Sequence, residues 1–120
     1  MDKRILVVED ERPLSNALVL KLRSVGFETV SVDNGEAAIS VLQESQFDLI
    51  ILDLILPKAD GFFVLAELKR LKITTPVIVS SNLGQEEDVK RAKELGAKAY
   101  FVKSDTTLAE IVQEVRQIIV

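Results

Sequence analysis

The sequence predicts an α/β fold, a doubly wound parallel sheet built from five βα units. Two observations carry that prediction. Short aliphatic runs alternate with longer amphipathic segments five times along 120 residues, as strands joined by crossover helices do. Three of the runs are almost purely aliphatic, which suits strands covered on both faces.

Each element follows from its own residues. Ile5-Leu6-Val7-Val8 forms the first strand. Pro13 to Val25 forms the first helix, with Leu14, Leu18, Leu22 and Val25 on one face. Gly26 stops it, because a residue without Cβ suits the position after a helix. Phe27 to Val32 forms the second strand, Thr29 and Ser31 alternating with Val30 and Val32. Asn34 caps a helix to about Ser45, with Ala38, Val41 and Leu42 inward. Leu49-Ile50-Ile51-Leu52 is the third strand, and Gly61 to about Leu71 the third helix. Pro76 opens the fourth strand, Val77-Ile78-Val79, and Glu86 to Leu95 is a helix ended by Gly96. Ala99-Tyr100-Phe101-Val102 is the fifth strand. Thr107 and Glu110 have the spacing of a capping box, before a helix with the stripe Leu108, Ile111, Val112, Val115, Ile118 and Ile119.

Strands one, three and four are the aliphatic ones and belong in the centre; strands two and five are mixed and belong at the edges. With right-handed crossovers that gives the order 2-1-3-4-5, a flavodoxin-like arrangement. No linker, repeat or low-complexity tract interrupts the chain, so the expectation is one domain over residues 1–120.

Composition removes many chemistries. The chain has no cysteine and no histidine. That excludes disulfides, thiolate zinc sites, thiol nucleophiles and histidine-based triads. Acid–base or metal chemistry must come from carboxylates, lysine or hydroxyls. A net charge of −4 and a pI of about 4.9, without a basic cluster, argue against direct nucleic-acid binding. No apolar run reaches the roughly 18 residues of a membrane span and no signal-peptide pattern opens the chain, so the expected compartment is the cytoplasm, with no membrane contact.

Four strands end in polar groups: Glu9-Asp10, Asp53, Ser80-Ser81 and Lys103. In a parallel sheet these ends share one edge, and ligands bind there where the strand order reverses. Most of these residues have ordinary readings taken singly. Asp10 suits a helix cap, Glu9 and Lys103 suit solvent, and the serines suit a turn. Asp53 does not, because it interrupts an otherwise apolar run from Leu49 to Pro57. Two carboxylates about 4 Å apart repel by roughly 4 kcal/mol at an effective dielectric near 20. Three need a cation or a proton. An oxygen-only site with open positions suits Mg²⁺. A carboxylate beside it can attack phosphorus, and a hydroxyl and a lysine can bind the remaining phosphoryl oxygens. The five glycines make neither of the glycine-rich nucleotide loops.

These residues resemble the receiver domains of bacterial two-component response regulators, of the chemotaxis-receiver type. The likeness rests on Val8-Glu9-Asp10, on the D-x-x-x-P-x-x-D-G run from Asp53 to Gly61, on Pro76 to Ser81, and on Tyr100 to Lys103. It implies that Asp53 is the phosphoacceptor. It implies that Asp10 and Asp53 bind Mg²⁺ through carboxylates and Ile55 through its backbone carbonyl, with Glu9 acting through a metal-bound water. Ser81 matches the switch hydroxyl, and Ser80 does not. Lys103 matches the lysine on the phosphoryl group, and Tyr100 the aromatic whose rotamer follows phosphorylation. The implied donor is a sensor histidine kinase or a histidine phosphotransfer protein. The implied result is a switched surface of helix 4, strand 5 and helix 5, read by an output partner or domain. The missing histidine then belongs to the donor.

Three positions depart from the pattern. Ser104 stands where the family usually has a proline after a cis peptide, leaving cis or trans open here. Asn82 is larger than the usual alanine or glycine after the switch hydroxyl and can alter access to Asp53. Lys98-Ala99 replaces an Asp-Asp pair used in some receiver dimers, which weakens one route to a homodimer and leaves others open. Ile55 and Leu83 flank the site and cannot orient an attacking water, which predicts slow loss of the phosphoryl group. Two other readings compete. A pseudo-receiver would keep the fold as a binding module without phosphorylation. A Mg²⁺-dependent phosphohydrolase with an aspartate nucleophile would want an acid where Ile55 stands. The preferred reading is a switch that catalyses its own phosphorylation and dephosphorylation and is not an enzyme on other substrates.

Overall fold

The computed structural model describes residues 2–119. The strands are β1 (Arg4–Val8), β2 (Glu28–Val32), β3 (Leu49–Leu52), β4 (Val77–Ser81) and β5 (Ala99–Val102). They alternate with α1 (Arg12–Ser24), α2 (Gly35–Glu44), α3 (Gly61–Arg70), α4 (Glu86–Glu94) and α5 (Leu108–Ile119). All neighbouring strands are parallel, and their order is β2-β1-β3-β4-β5, as expected. The boundaries differ from expectation by a residue or two. The largest difference is β4, which runs on through Ser80 and Ser81, paired there with Phe101 and Val102 of β5.

The two-residue period of the strands sorts the core into two layers. Leu6, Val8, Ile50, Leu52, Val77 and Val79 face α2, α3 and α4. Ile5, Val7, Leu49, Ile51 and Ile78 face α1 and α5. β1, β3 and β4 are buried on both faces, which explains their aliphatic purity. On α1 the buried face is Ser15, Leu18, Val19 and Leu22, while Leu14 and Val25 are half-buried. The helix is thus rotated slightly from the face expected, so that Val19 packs in the core with Leu18.

Asn34 and Thr107 cap helix starts as read from the sequence, and Asp60 caps a third that was not. Asn34 Oδ1 accepts from Ala37 N at 2.9 Å, and Asp60 Oδ1 from Phe63 N at 2.8 Å. Thr107 and Glu110 form the expected reciprocal box: Glu110 N donates to Thr107 Oγ1 at 3.2 Å and Thr107 N to Glu110 Oε1 at 3.0 Å. Gly26 and Gly96 follow α1 and α4 with φ of 101° and 109°, which only glycine adopts without strain. Gly61 is needed for a different reason. A Cβ there would lie 2.4 Å from the Asp53 carbonyl oxygen and 2.6 Å from Leu54 Cα. The start of α3 therefore rests directly on the backbone that carries Asp53.

Candidate functional site

The carboxyl ends of β1, β3 and β5 bring the acids and the lysine together. Asp53 N donates to the Val8 carbonyl at 3.0 Å and Gly61 N to the Leu54 carbonyl at 2.9 Å, so the segment after β3 is tied on both sides. Asp53 as a whole residue is 4% exposed. Glu9 is also buried, which corrects its reading as a solvated charge, whereas Asp10 is exposed. One oxygen from each of Glu9, Asp10 and Asp53 lies within 4.8 Å of the others.

Lys103 stands at the start of a 3₁₀ turn, Lys103–Asp105. Its ammonium contacts Asp53 Oδ2 at 2.7 Å and Glu9 Oε1 at 2.6 Å, and reaches the exposed Glu11 Oε1 at 3.4 Å. Burial works against the charged lysine, but its hydrogen bonds to Asp53 and Glu9 outweigh it and hold its pKa above the ordinary value. Burial pushes Glu9 up, and Lys103 and the Glu11 N–H only partly offset that. The Glu11 N–H sits 3.0 Å from Glu9 Oε2. On Asp53, Oδ1 accepts from Ile55 N at 3.1 Å. A cleft of about 120 Å³ opens onto these groups, lined by Asp10, Glu11, Asp53, Ile55, Asn82 and Lys103.

The two serines of β4 part company because strands alternate. Ser80 points to the α1 and α5 face and lines a small internal cavity with Asp53 and Glu9. Ser81 is fully buried in the opposite layer. Its Oγ accepts from Leu83 N at 3.3 Å. Tyr100 lies on the same side as Ser81, half-buried against the α4 layer, and its hydroxyl donates to the Leu83 carbonyl. Burial raises the Tyr100 pKa, with Asp88 and Asp53 adding to it. Leu83 thus links Ser81 to Tyr100 through its own backbone.

The structure brings together Glu9, Asp10, Asp53, Ile55 and Lys103, while Ser81 and Tyr100 form a neighbouring pair joined at Leu83. Among the described residues no peptide is cis, that between Lys103 and Ser104 included. Ser104 N instead donates to Asn82 Oδ1 at 3.2 Å. This contact and the reach of Glu11 to Lys103 were not visible in the sequence. Each joins residues far apart in the chain, and only the unusual side chain at Asn82 signalled that the position mattered.

No helix among the described residues is long and apolar enough to cross a membrane. Residues 5–116 match the response regulator receiver domain family. The phosphate regulon transcriptional regulatory protein PhoB of Escherichia coli is 39% identical over 105 residues, covering 86% of this chain and 46% of PhoB. The chain thus spans less than half the length of that curated relative. Two solved structures are each 35% identical. The Mn²⁺-bound form of response regulator Rcp1 superposes with a TM-score of 0.84, covering 96% of this chain and 92% of that one. The phosphorylated cyanobacterial phytochrome response regulator RcpA superposes with a TM-score of 0.83, covering 98% and 91%.

Proposed function

The chain belongs to the response regulator receiver domain family, and on that premise we propose that Asp53 accepts a phosphoryl group from a phosphohistidine on a partner protein. The observation that carries this is the contact of Lys103 with Asp53 inside an acidic trio at the reversal of strand order. A structural aspartate would not need two further carboxylates and a lysine around it.

The donor set suits a divalent cation. It is all oxygen, three carboxylates gather within 4.8 Å, and the group faces a cleft. Asp10 and Asp53 through carboxylates, Ile55 through its carbonyl and Glu9 through a water would hold Mg²⁺, whose charge would offset that on the transferred group. The Mn²⁺ in Rcp1 and the phosphoryl group on RcpA support the reading.

The chain's own groups account for the transfer. An Asp53 oxygen attacks phosphorus; an O–P bond forms as the P–N bond to the donor imidazole breaks. The imidazole nitrogen keeps the electron pair and takes a proton from solvent. Lys103 already touches Asp53 and supplies N–H donors to the phosphoryl oxygens. The product carries about −1.5 to −2 more charge and three acceptor oxygens. As Ser81 turns its O–H toward one of them, the bond its oxygen accepts from the Leu83 N–H is disturbed. Because Tyr100 holds the carbonyl of the same residue, that move repacks Tyr100 and the face of α4, β5 and α5.

The partners on this reading are a sensor histidine kinase or histidine phosphotransfer protein, and an output domain or protein that reads the switched face. A homodimer is one form such a readout takes. The chain itself contacts neither nucleic acid nor membrane, works in the cytoplasm and turns over no other substrate. The test is intact mass after incubation with acetyl phosphate and Mg²⁺. Wild type gains one phosphoryl group and Asp53→Asn gains none. No gain by wild type would support a pseudo-receiver, and multiple turnover on phosphate esters a phosphohydrolase.

A further inference from the structure

Asn82 and Ser104 are one feature. Ser104 N donates to Asn82 Oδ1 at 3.2 Å, which joins the loop after β4 to the turn that begins with Lys103. A proline at residue 104 has no N–H and could not make this bond. Because the Ser104 group is a donor only, it fixes which end of the carboxamide faces it. The Asn82 oxygen is held toward Ser104, and its NH₂ group is turned the other way. Among the described residues this is the one side-chain hydrogen bond Asn82 makes. Asn82 also lines the cleft over Asp53 and Lys103 and is itself exposed. An oriented amide donor therefore stands at the mouth of a site it shares with Asp10 and Glu11, which repel an anion, with Ile55, and with Lys103, whose ammonium is already engaged by Glu9, Glu11 and Asp53.

We propose that Asn82 is a binding residue for the phosphodonor, its carboxamide set by the Ser104 N–H so that Nδ2 donates to an oxygen of the incoming phosphoryl group. This rests on Asp53 being the phosphoacceptor. Asn82 offsets part of the repulsion between the anionic donor and the acidic rim, so it acts on donor capture more than on the chemical step.

The test measures the initial rate of phosphorylation against acetyl phosphate concentration, with Mg²⁺, by intact mass. In this reaction an Asp53 oxygen bonds to phosphorus, the P–O bond to the acetyl carboxylate breaks, and acetate leaves with the electron pair. Asn82→Ala should lower the rate at low donor about fivefold, with a smaller change in the maximal rate. Asn82→Asp keeps an acceptor for Ser104 but puts a negative charge where the donor enters, and should lower it further. Ser104→Pro should lower it in part, and adding Ser104→Pro to Asn82→Ala should change nothing more. If Ser104→Pro does not fold, Asn82→Asp still decides the matter. An Asn82→Ala variant as fast as wild type, or faster, overturns the proposal, because the side chain would then only obstruct access. Wild-type rates in Asn82→Asp overturn it equally. If wild type itself takes up no phosphoryl group, the phosphoacceptor reading falls and this inference with it; if wild type is phosphorylated and the variants match it, this inference alone falls.

Discussion

Lys103→Met removes the cation between two buried carboxylates. The ammonium lies 2.6 Å from Glu9 and 2.7 Å from Asp53, and all three side chains are less than a tenth exposed. At an effective dielectric near 20 each contact is worth roughly 6 kcal/mol of attraction. Desolvation of the three charges opposes much of that. The cost of removing one partner from such a buried group is therefore about 3–5 kcal/mol, the penalty of leaving carboxylates uncompensated. In a domain of this size that lowers Tm by on the order of 10–20 °C. The assay is thermal and urea unfolding followed by circular dichroism, in chelator.

The same substitution has a pH signature. Glu9 has a raised pKa in the folded chain, through burial, so the native state binds more protons there than the unfolded one. Its contribution to stability is present below the ordinary glutamate value and is lost as pH rises through the raised one. Lys103 partly counteracts that rise, so without it the unfavourable window reaches higher pH. The deficit of Lys103→Met relative to wild type should grow as pH rises above the ordinary glutamate value. Mg²⁺ should restore more stability to the variant than to wild type. A loss below about 1 kcal/mol, or a deficit that shrinks as pH rises, would refute the role given to Lys103.

Four further outcomes follow from single residues. Gly61→Ala places a Cβ 2.4 Å from the Asp53 carbonyl oxygen, so it should cost about 1–3 kcal/mol in urea unfolding and slow phosphoryl uptake by displacing Asp53. Ile55 is exposed beside the site and lines the cleft, so Ile55→Asn should shorten the phosphoryl lifetime by offering water a polar partner; an equal or longer lifetime by time-resolved mass would count against this. Tyr100→Phe removes the hydrogen bond to the Leu83 carbonyl and should cost about 1 kcal/mol in urea unfolding. In the wild type, ultraviolet titration should show Tyr100 ionising above the ordinary tyrosine value.

The fold was legible because its signals are local and agree with one another. Aliphatic purity placed β1, β3 and β4 in the centre, and Asn34, Thr107 with Glu110, Gly26 and Gly96 marked helix ends through short-range chemistry. Asp53 was legible as a charge in an apolar run. The side-chain partnerships were not, because they arise between residues that meet only after folding. Lys103 holds Glu11 across 92 positions, Ser104 finds Asn82 across 22, and Tyr100 finds Leu83 across 17. Glu9 reads as solvated when taken alone, and its burial follows from the packing of its strand end against Asp53 and Lys103. The steric need for Gly61 was likewise hidden: a D-G pair marks a helix start, but only the closeness of Asp53 to that start explains why a methyl group cannot be added.

The central claim is that Asp53, and no other carboxylate of the acidic trio, carries the phosphoryl group. Borohydride reduces an acyl phosphate to an alcohol, converting a phosphorylated aspartate to homoserine. The protein would be treated with acetyl phosphate and Mg²⁺, reduced, digested and sequenced by mass spectrometry. Homoserine at residue 53 alone, formed with Mg²⁺ and lost in chelator, is the predicted result. Reduction at Asp10 or Glu9 instead, or at no residue, would contradict it.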